Sequence, residues 1–167
     1  MKLKSSLWIL LIIGLISCKQ KITEKEPSKT IIQNGIKIID IGNIQNLEKF
    51  KVLHLGKIYP NPLNSENASE SKKKAVIDSW TNLINQLSDF MEKEKFDWET
   101  ESKVRLYQKI YFSENGEVEY YTFNVKNENV TPKKKKEFAE LLEQFSKNLK
   151  FGMKSEKKYW QCGTTVY

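Results

Sequence analysis

The sequence predicts an α+β fold, a small antiparallel sheet with helices packed on one face. Three observations carry that prediction. A tyrosine-rich stretch alternates apolar and polar residues from Val104 to Phe112, turns at Asn115-Gly116, and returns from Glu117 to Lys126. Two stretches, Ser71 to Lys95 and Thr131 to Leu149, repeat apolar residues at helical spacing. A last alternating stretch, Tyr159 to Tyr167, follows the second of them. Residues 104–167 therefore read strand, strand, helix, strand.

From the start of the chain, Lys2 and Lys4 precede an apolar run from Leu7 to Ile16, followed by Ser17 and Cys18. A basic start, a short apolar core and a small residue at the cut form the layout of an export signal. The run is shorter than the roughly 20 residues that span a bilayer core. Leu15-Ile16-Ser17-Cys18 resembles the lipobox of bacterial lipoproteins. That resemblance implies cleavage before Cys18, acylation of Cys18, and residence on the cell envelope. Residues 1–17 are then a signal peptide, 18–29 a lipidated tether, and 30–167 a single α+β domain. The polar stretch Lys19 to Lys29 reads as disordered and reaches at most about 36–40 Å. Lys19 stands where an aspartate favours inner-membrane retention in well-studied lipoproteins. Lys19-Gln20-Lys21 also lacks the acidic cluster of surface-export signals. In a two-membrane bacterium the first points to the outer membrane and the second to a domain facing the periplasm.

Ile31-Ile32 and Ile36 to Ile41 flank Gln33-Asn34-Gly35, and Asn-Gly is a hairpin signal. Asn43 can cap a short helix through Phe50. Lys51 to Leu55, extending to Tyr59, reads as another strand. Tyr59-Pro60-Asn61-Pro62 breaks regular structure, and Asn61 to Ser71 reads as a loop. The first long helix, Ser71 to Lys95, carries Val76, Ile77, Trp80, Leu83, Ile84, Leu87, Phe90 and Met91 on one stripe. In the hairpin, Val104, Leu106, Ile110 and Phe112 share one face, and Arg105, Tyr107, Lys109 and Tyr111 the other. Thr131 caps the second helix, with Pro132 at its first position. Its stripe is Phe138, Leu141, Leu142, Phe145 and Leu149, and Gly152 can close it.

The stretch from Tyr107 to Val118, with the helix around Phe138-Ala139-Glu140-Leu141-Leu142 and the Leu149-Lys150-Phe151 that ends it, is similar to the TonB C-terminal domain. The resemblance covers residues 104–167. It implies a strand, strand, helix, strand topology and recruitment of a short peptide by strand pairing. An energy transducer of that family also needs a membrane-spanning anchor and a long proline-rich reach, and neither is present in this sequence.

Chemistry is sparse. Without residues 1–17 the chain keeps 150 of 167 residues, enough for a real core, and its formal charge falls from +7 to +5. Arg105 is the sole arginine, so the planar fork that reads phosphates and base edges is nearly missing. An exported protein also rarely meets nucleic acid, and no nucleic-acid partner is expected. With Cys18 acylated, Cys162 is left without an internal disulfide partner. It reads as a small apolar residue, the alternative being a reactive thiol. The single histidine, His54, reads as an ordinary strand residue. Asp97 and Glu99 flank Trp98 without a motif around them. No catalytic residue, metal site or cofactor is assigned.

Two features remain as candidate sites. Lys72, Lys73 and Lys74 open the first long helix, and Lys133, Lys134, Lys135 and Lys136 open the second. Positive charge there opposes the helix dipole by about 0.3–1 kcal/mol per charge. It reads either as a solvated surface or as an anion patch for headgroups, glycan or an acidic protein. The terminal stretch Trp160, Gln161, Cys162, Gly163, Thr164, Thr165 and Val166 has neither charge nor proline, the usual guards of an exposed sheet edge. With nothing following it to cover that edge, it is a candidate for a partner strand. The function expected is a non-enzymatic, lipid-anchored protein-binding domain with an envelope protein as partner. The alternative is a periplasmic enzyme or small-ligand carrier whose pocket, holding His54 or Asp97, lies between the N-terminal segment and the sheet.

Overall fold

A computed structural model describes residues 31–33, 35–63 and 69–167. The signal peptide, Cys18 and the tether expected before residue 30 lie outside the described residues. The element order is β1 (Ile31–Gln33), β2 (Ile36–Asp40), α1 (Ile44–Lys51), α2 (Leu55–Ile58), α3 (Glu70–Lys93), β3 (Arg105–Phe112), β4 (Val118–Lys126), α4 (Pro132–Ser146) and β5 (Tyr159–Val166). The fold is α+β, as the sequence predicts.

Among the described residues five strands form one sheet in the order β1-β2-β4-β3-β5. The hairpin β3–β4 and the pair β3–β5 are antiparallel, but β2 lies parallel to β4. The sheet is therefore mixed rather than antiparallel throughout. The cause lies in the connection: residues 41–104, including three helices, separate β2 from β3, long enough for a crossover that a hairpin does not need.

One face of the sheet carries the main core. Leu106, Ile110 and Phe112 from β3, Tyr121, Phe123 and Val125 from β4, and Ile38 from β2 meet Val76, Leu83 and Leu87 of α3 and Phe138 and Leu142 of α4. The expected α3 stripe holds except at Ile77, which is 59 % exposed. A polar chain runs inside this core. The hydroxyl of Tyr121 donates to Gln108 Oε1, and Gln108 Nε2 donates to Thr165 Oγ1 at 3.2 Å. Gln108 is fully buried and satisfied, as a buried amide must be. α3 also lies flat on β5. A Cβ on Gly163 would sit 2.5 Å from the Trp80 indole nitrogen, so glycine is what permits this approach.

The opposite face is partly covered too, which corrects the expectation of helices on one side only. Residues 51–59, expected as a strand, form the end of α1, a turn and α2. Asn43 caps α1 by accepting from the amides of Gln45 and Asn46, and His54 adopts φ 46° where the chain turns into α2. Leu55 and Tyr59 pack on Tyr111, with Phe50, Leu53, Tyr120 and Trp160 around them. The alternation that suggested a strand arises because α2 is too short to show helical periodicity. A β-bulge at Glu119 anchors this cover: Tyr111 pairs with Tyr120, and Phe112 with Val118. Glu119 accepts from the Tyr59 hydroxyl and from Lys158 Nζ at 2.7 and 3.0 Å.

α4 begins as expected, with Thr131 Oγ1 accepting from the Lys134 amide at 3.2 Å. It ends at Ser146, before Gly152, which instead leaves room for Ser79 on α3. Leu142 is fully buried and Phe145 half-buried against Phe90.

Burial raises the phenols of Tyr59, Tyr111, Tyr121, Tyr159 and Tyr167 above their ordinary 10, and that of Tyr107 to about 12. The folded chain thus holds these protons more tightly than the unfolded chain does. The associated stability is complete below pH 10 and is lost as pH rises from there toward 12 and above. The urea midpoint is expected to be lower at about pH 11 than at about pH 9, with tyrosinate absorbance rising as the chain unfolds.

Candidate functional site

Among the described residues the sheet order places β5 at an edge, with β3 as its one strand neighbour. The backbone parity follows from one pair. Val104 and Tyr167 exchange both bonds, N–H to carbonyl, at 3.0 and 2.9 Å. In an antiparallel ladder such bonded pairs recur at every second residue. Thr165, Gly163 and Gln161 therefore bond inward to Leu106, Gln108 and Ile110, and Trp160, Cys162, Thr164 and Val166 turn their backbone groups outward. The Trp160 amide is taken by Pro60 O at 3.3 Å. Among the described residues no backbone acceptor meets the amides of Cys162, Thr164 and Val166.

This open edge borders the uncovered half of the sheet face. There Ile41, Lys103, Arg105, Tyr107, Asn124, Lys126, Thr164 and Val166 line a groove of about 790 Å³. Arg105 pairs in register with Lys126 on one side and Val166 on the other. Further along the face, Lys109 Nζ lies 3.7 Å from the centre of the Trp160 ring. Burial lowers the pKa of Lys109, an effect that the neighbouring Cys162 opposes. Burial and the adjacent Cys162 thiol are also what raise Tyr107. Cys162 is half-exposed and free, on this open face rather than in the core.

The lysine runs do not form a single anion patch. Lys134 packs over the Phe96 ring beyond the C-terminus of α3, whereas Lys72, Lys73 and Lys74 sit in its first turns. About 20 residues of helix, roughly 30 Å, lie between those turns and the C-terminus of α3. Their charges are also largely answered. Lys73 pairs with Glu70, Lys74 with Asp78 and Lys136 with Glu140. Lys134 is buried between Glu99 and Glu137, each at 3.1 Å. Lys72, Lys133 and Lys135 make no ion pair among the described residues.

His54 and Asp97 are both exposed, and neither lines the groove. The junction where a pocket was expected, between the N-terminal segment and the sheet, is filled by Leu55, Tyr59 and Tyr111. Among the described residues no three His, Cys, Asp or Glu side chains gather as a metal site, and no helix is long and apolar enough to cross a membrane.

The groove itself was not singled out from sequence, although its signal was available. Arg105, Tyr107 and Lys109 alternate onto one strand face with no acid among them. Lys103, Asn124 and Lys126 join them only through the register of β3 and β4. No family model, curated protein or solved structure matches this chain.

Proposed function

We propose that this chain is a lipid-anchored envelope protein whose domain binds another protein, without catalysis, by accepting a strand at β5. The observation that supports this reading is the row of outward amides at Cys162, Thr164 and Val166 on an edge without charge or proline. The resemblance to the TonB C-terminal domain points the same way, because β4, β3 and β5 with α4 between β4 and β5 follow the topology that it implies.

Proline at Thr164 removes one outward donor and leaves the bonds to β3 in place. Thr164→Pro is expected to keep most of the melting temperature and lose capture of the envelope partner. Thr165→Pro removes an inward donor and is expected to lower the melting temperature instead. Equal capture by wild type and Thr164→Pro would remove the support for strand addition.

The anchor is a separate part of the proposal. Acylation at Cys18 adds about 0.8 kcal/mol per buried CH₂, and two chains hold a protein stably on a membrane. Cys18→Ser is expected to release the protein or leave an uncut precursor, read by fractionation and by the mass of the N-terminal peptide. We place the protein at the outer membrane, facing the periplasm. Removal of the domain by protease added to intact cells would overturn that orientation.

A further inference from the structure

The groove beside the open edge has an electrostatic cost built into it. Arg105 and Lys126 stand directly opposite each other in register on β3 and β4, on the same face, with Lys103 just before Arg105. Like charges directly opposite one another destabilise a sheet. Elsewhere on this protein seven lysines find acids, Lys73, Lys74, Lys134, Lys136, Lys147, Lys150 and Lys158, while others, such as Lys72, Lys133 and Lys135, make no ion pair among the described residues. Among the described residues, Lys103, Arg105 and Lys126 have no carboxylate within ion-pair distance, and none lines the groove. Glu101 and Glu128 lie in the adjoining turns without pairing to them.

We infer that the segment received at β5 is an acidic strand, with carboxylates at alternate positions facing this groove. The inference rests on the proposed strand addition and names the chemistry of its partner. A strand laid outside β5 sends every second side chain to the groove face, opposite Thr164 and Val166. Strand spacing puts such a residue about 10 Å from the Arg105 backbone, two ladder steps away. An arginine and a glutamate side chain together cover that distance. Thr164 and Val166 are exposed and short, so nothing between them blocks the approach. Lys103 and Lys126 lie behind Arg105 and deepen the positive field that the carboxylates enter. The opposite end of β5 is closed by Pro60 and the aromatic cover, so the acidic positions fall at the Thr164–Val166 end.

The test uses the full-length chain in neutral detergent and three synthetic peptides of about eight residues. One alternates threonine with glutamate, one threonine with glutamine, one threonine with lysine. The glutamate peptide is expected to bind at least tenfold more tightly than the glutamine peptide, with the preference shrinking as salt is added. It should also slow exchange of the Cys162, Thr164 and Val166 amides. Arg105→Gln combined with Lys126→Gln, both at exposed positions, should abolish the preference and leave the amide protection by the glutamine peptide unchanged, with a melting temperature no lower than that of wild type because the like-charge pair is gone. Equal binding of the glutamate and glutamine peptides, with those amides protected, would overturn the acidic partner and leave strand addition standing. Tight glutamate binding without protection of those amides would overturn the strand at β5 itself. Binding of vesicles rich in phosphatidylglycerol, lost in the double variant while no peptide binds, would assign the groove to a lipid surface and also overturn the inference.

Discussion

Replacing Phe138 by alanine is expected to destabilise the domain by about 3–5 kcal/mol, enough to lower its melting temperature by roughly 10 °C. Phe138 is fully buried on the α4 stripe. Its ring meets Trp98 at 4.8 Å, Phe123 at 5.3 Å and Phe96 at 5.6 Å, centre to centre. It therefore joins the sheet, α4 and the chain that leaves α3. Truncation removes the transfer energy of the ring and leaves a cavity that three large rigid neighbours cannot close. With total stabilities of about 5–15 kcal/mol for such domains, a loss of this size approaches unfolding. Leu142→Ala, one turn along the same stripe, belongs to the same class at about 2–5 kcal/mol. Urea unfolding followed by tryptophan fluorescence measures both. An unchanged midpoint in either variant would mean that α4 does not lie on the sheet as described.

The second large effect is expected at Gly116, in the β3–β4 turn. Its φ of 81° lies in the left-handed region, where a side chain is strained. A Cβ there would also sit 2.5 Å from the Phe151 carbonyl oxygen and 3.2 Å from that of Met153. The turn is clasped by this segment: the Phe151 amide donates to Gly116 O at 2.8 Å, and the Ser155 amide to Glu114 O at 3.0 Å. Alanine at Gly116 must push backbone away from backbone. Gly35 supplies the control. Its φ is 85°, yet among the described residues nothing lies within 4 Å of a Cβ built on it. Gly35→Ala is expected to cost only the strain, about 1 kcal/mol. Gly116→Ala is expected to cost at least twice that and to loosen residues 150–155, read by their amide exchange.

The two glycines show what sequence conveys and what it does not. Asn34-Gly35 and Asn115-Gly116 are the same dipeptide in the sequence, and Gly35 and Gly116 both sit in turns, as read. The clasp that makes Gly116 costly comes from residues more than thirty positions away, so no local pattern can report it. The same division runs through the fold. The hairpin, the two long helices and the final strand are legible because their periodicity extends over two or more turns or a full strand. The parallel pairing of β2 with β4 is not, because it depends on where a long crossover delivers β2. Residues 51–59 misled for a related reason: α2 has four residues, too few for helical spacing to appear, and Leu53, Leu55 and Tyr59 alternate by chance.

At the candidate site, the edge position of β5 was legible in Tyr159 to Tyr167, a strand without gatekeepers. The lysine runs attracted notice because adjacent charges are conspicuous in a sequence. Folding sets the two runs at opposite ends of α3 and answers most of them with acids. The groove cations went unnoticed because they are single residues on separate strands. Arg105 and Lys126 are more than twenty positions apart, and only the β3–β4 register puts them face to face.

Hydrogen exchange along β5 in the isolated protein tests the central claim most directly. If β5 is an edge that awaits a partner, the amides must alternate. Gln161, Gly163 and Thr165, bonded to β3, should exchange slowly. Cys162, Thr164 and Val166 should exchange at rates close to those of an unstructured peptide, and slow only when a partner strand is added. Uniformly slow exchange from Gln161 to Val166 in the monomer would show that the outer side of β5 is already paired, and would contradict the account.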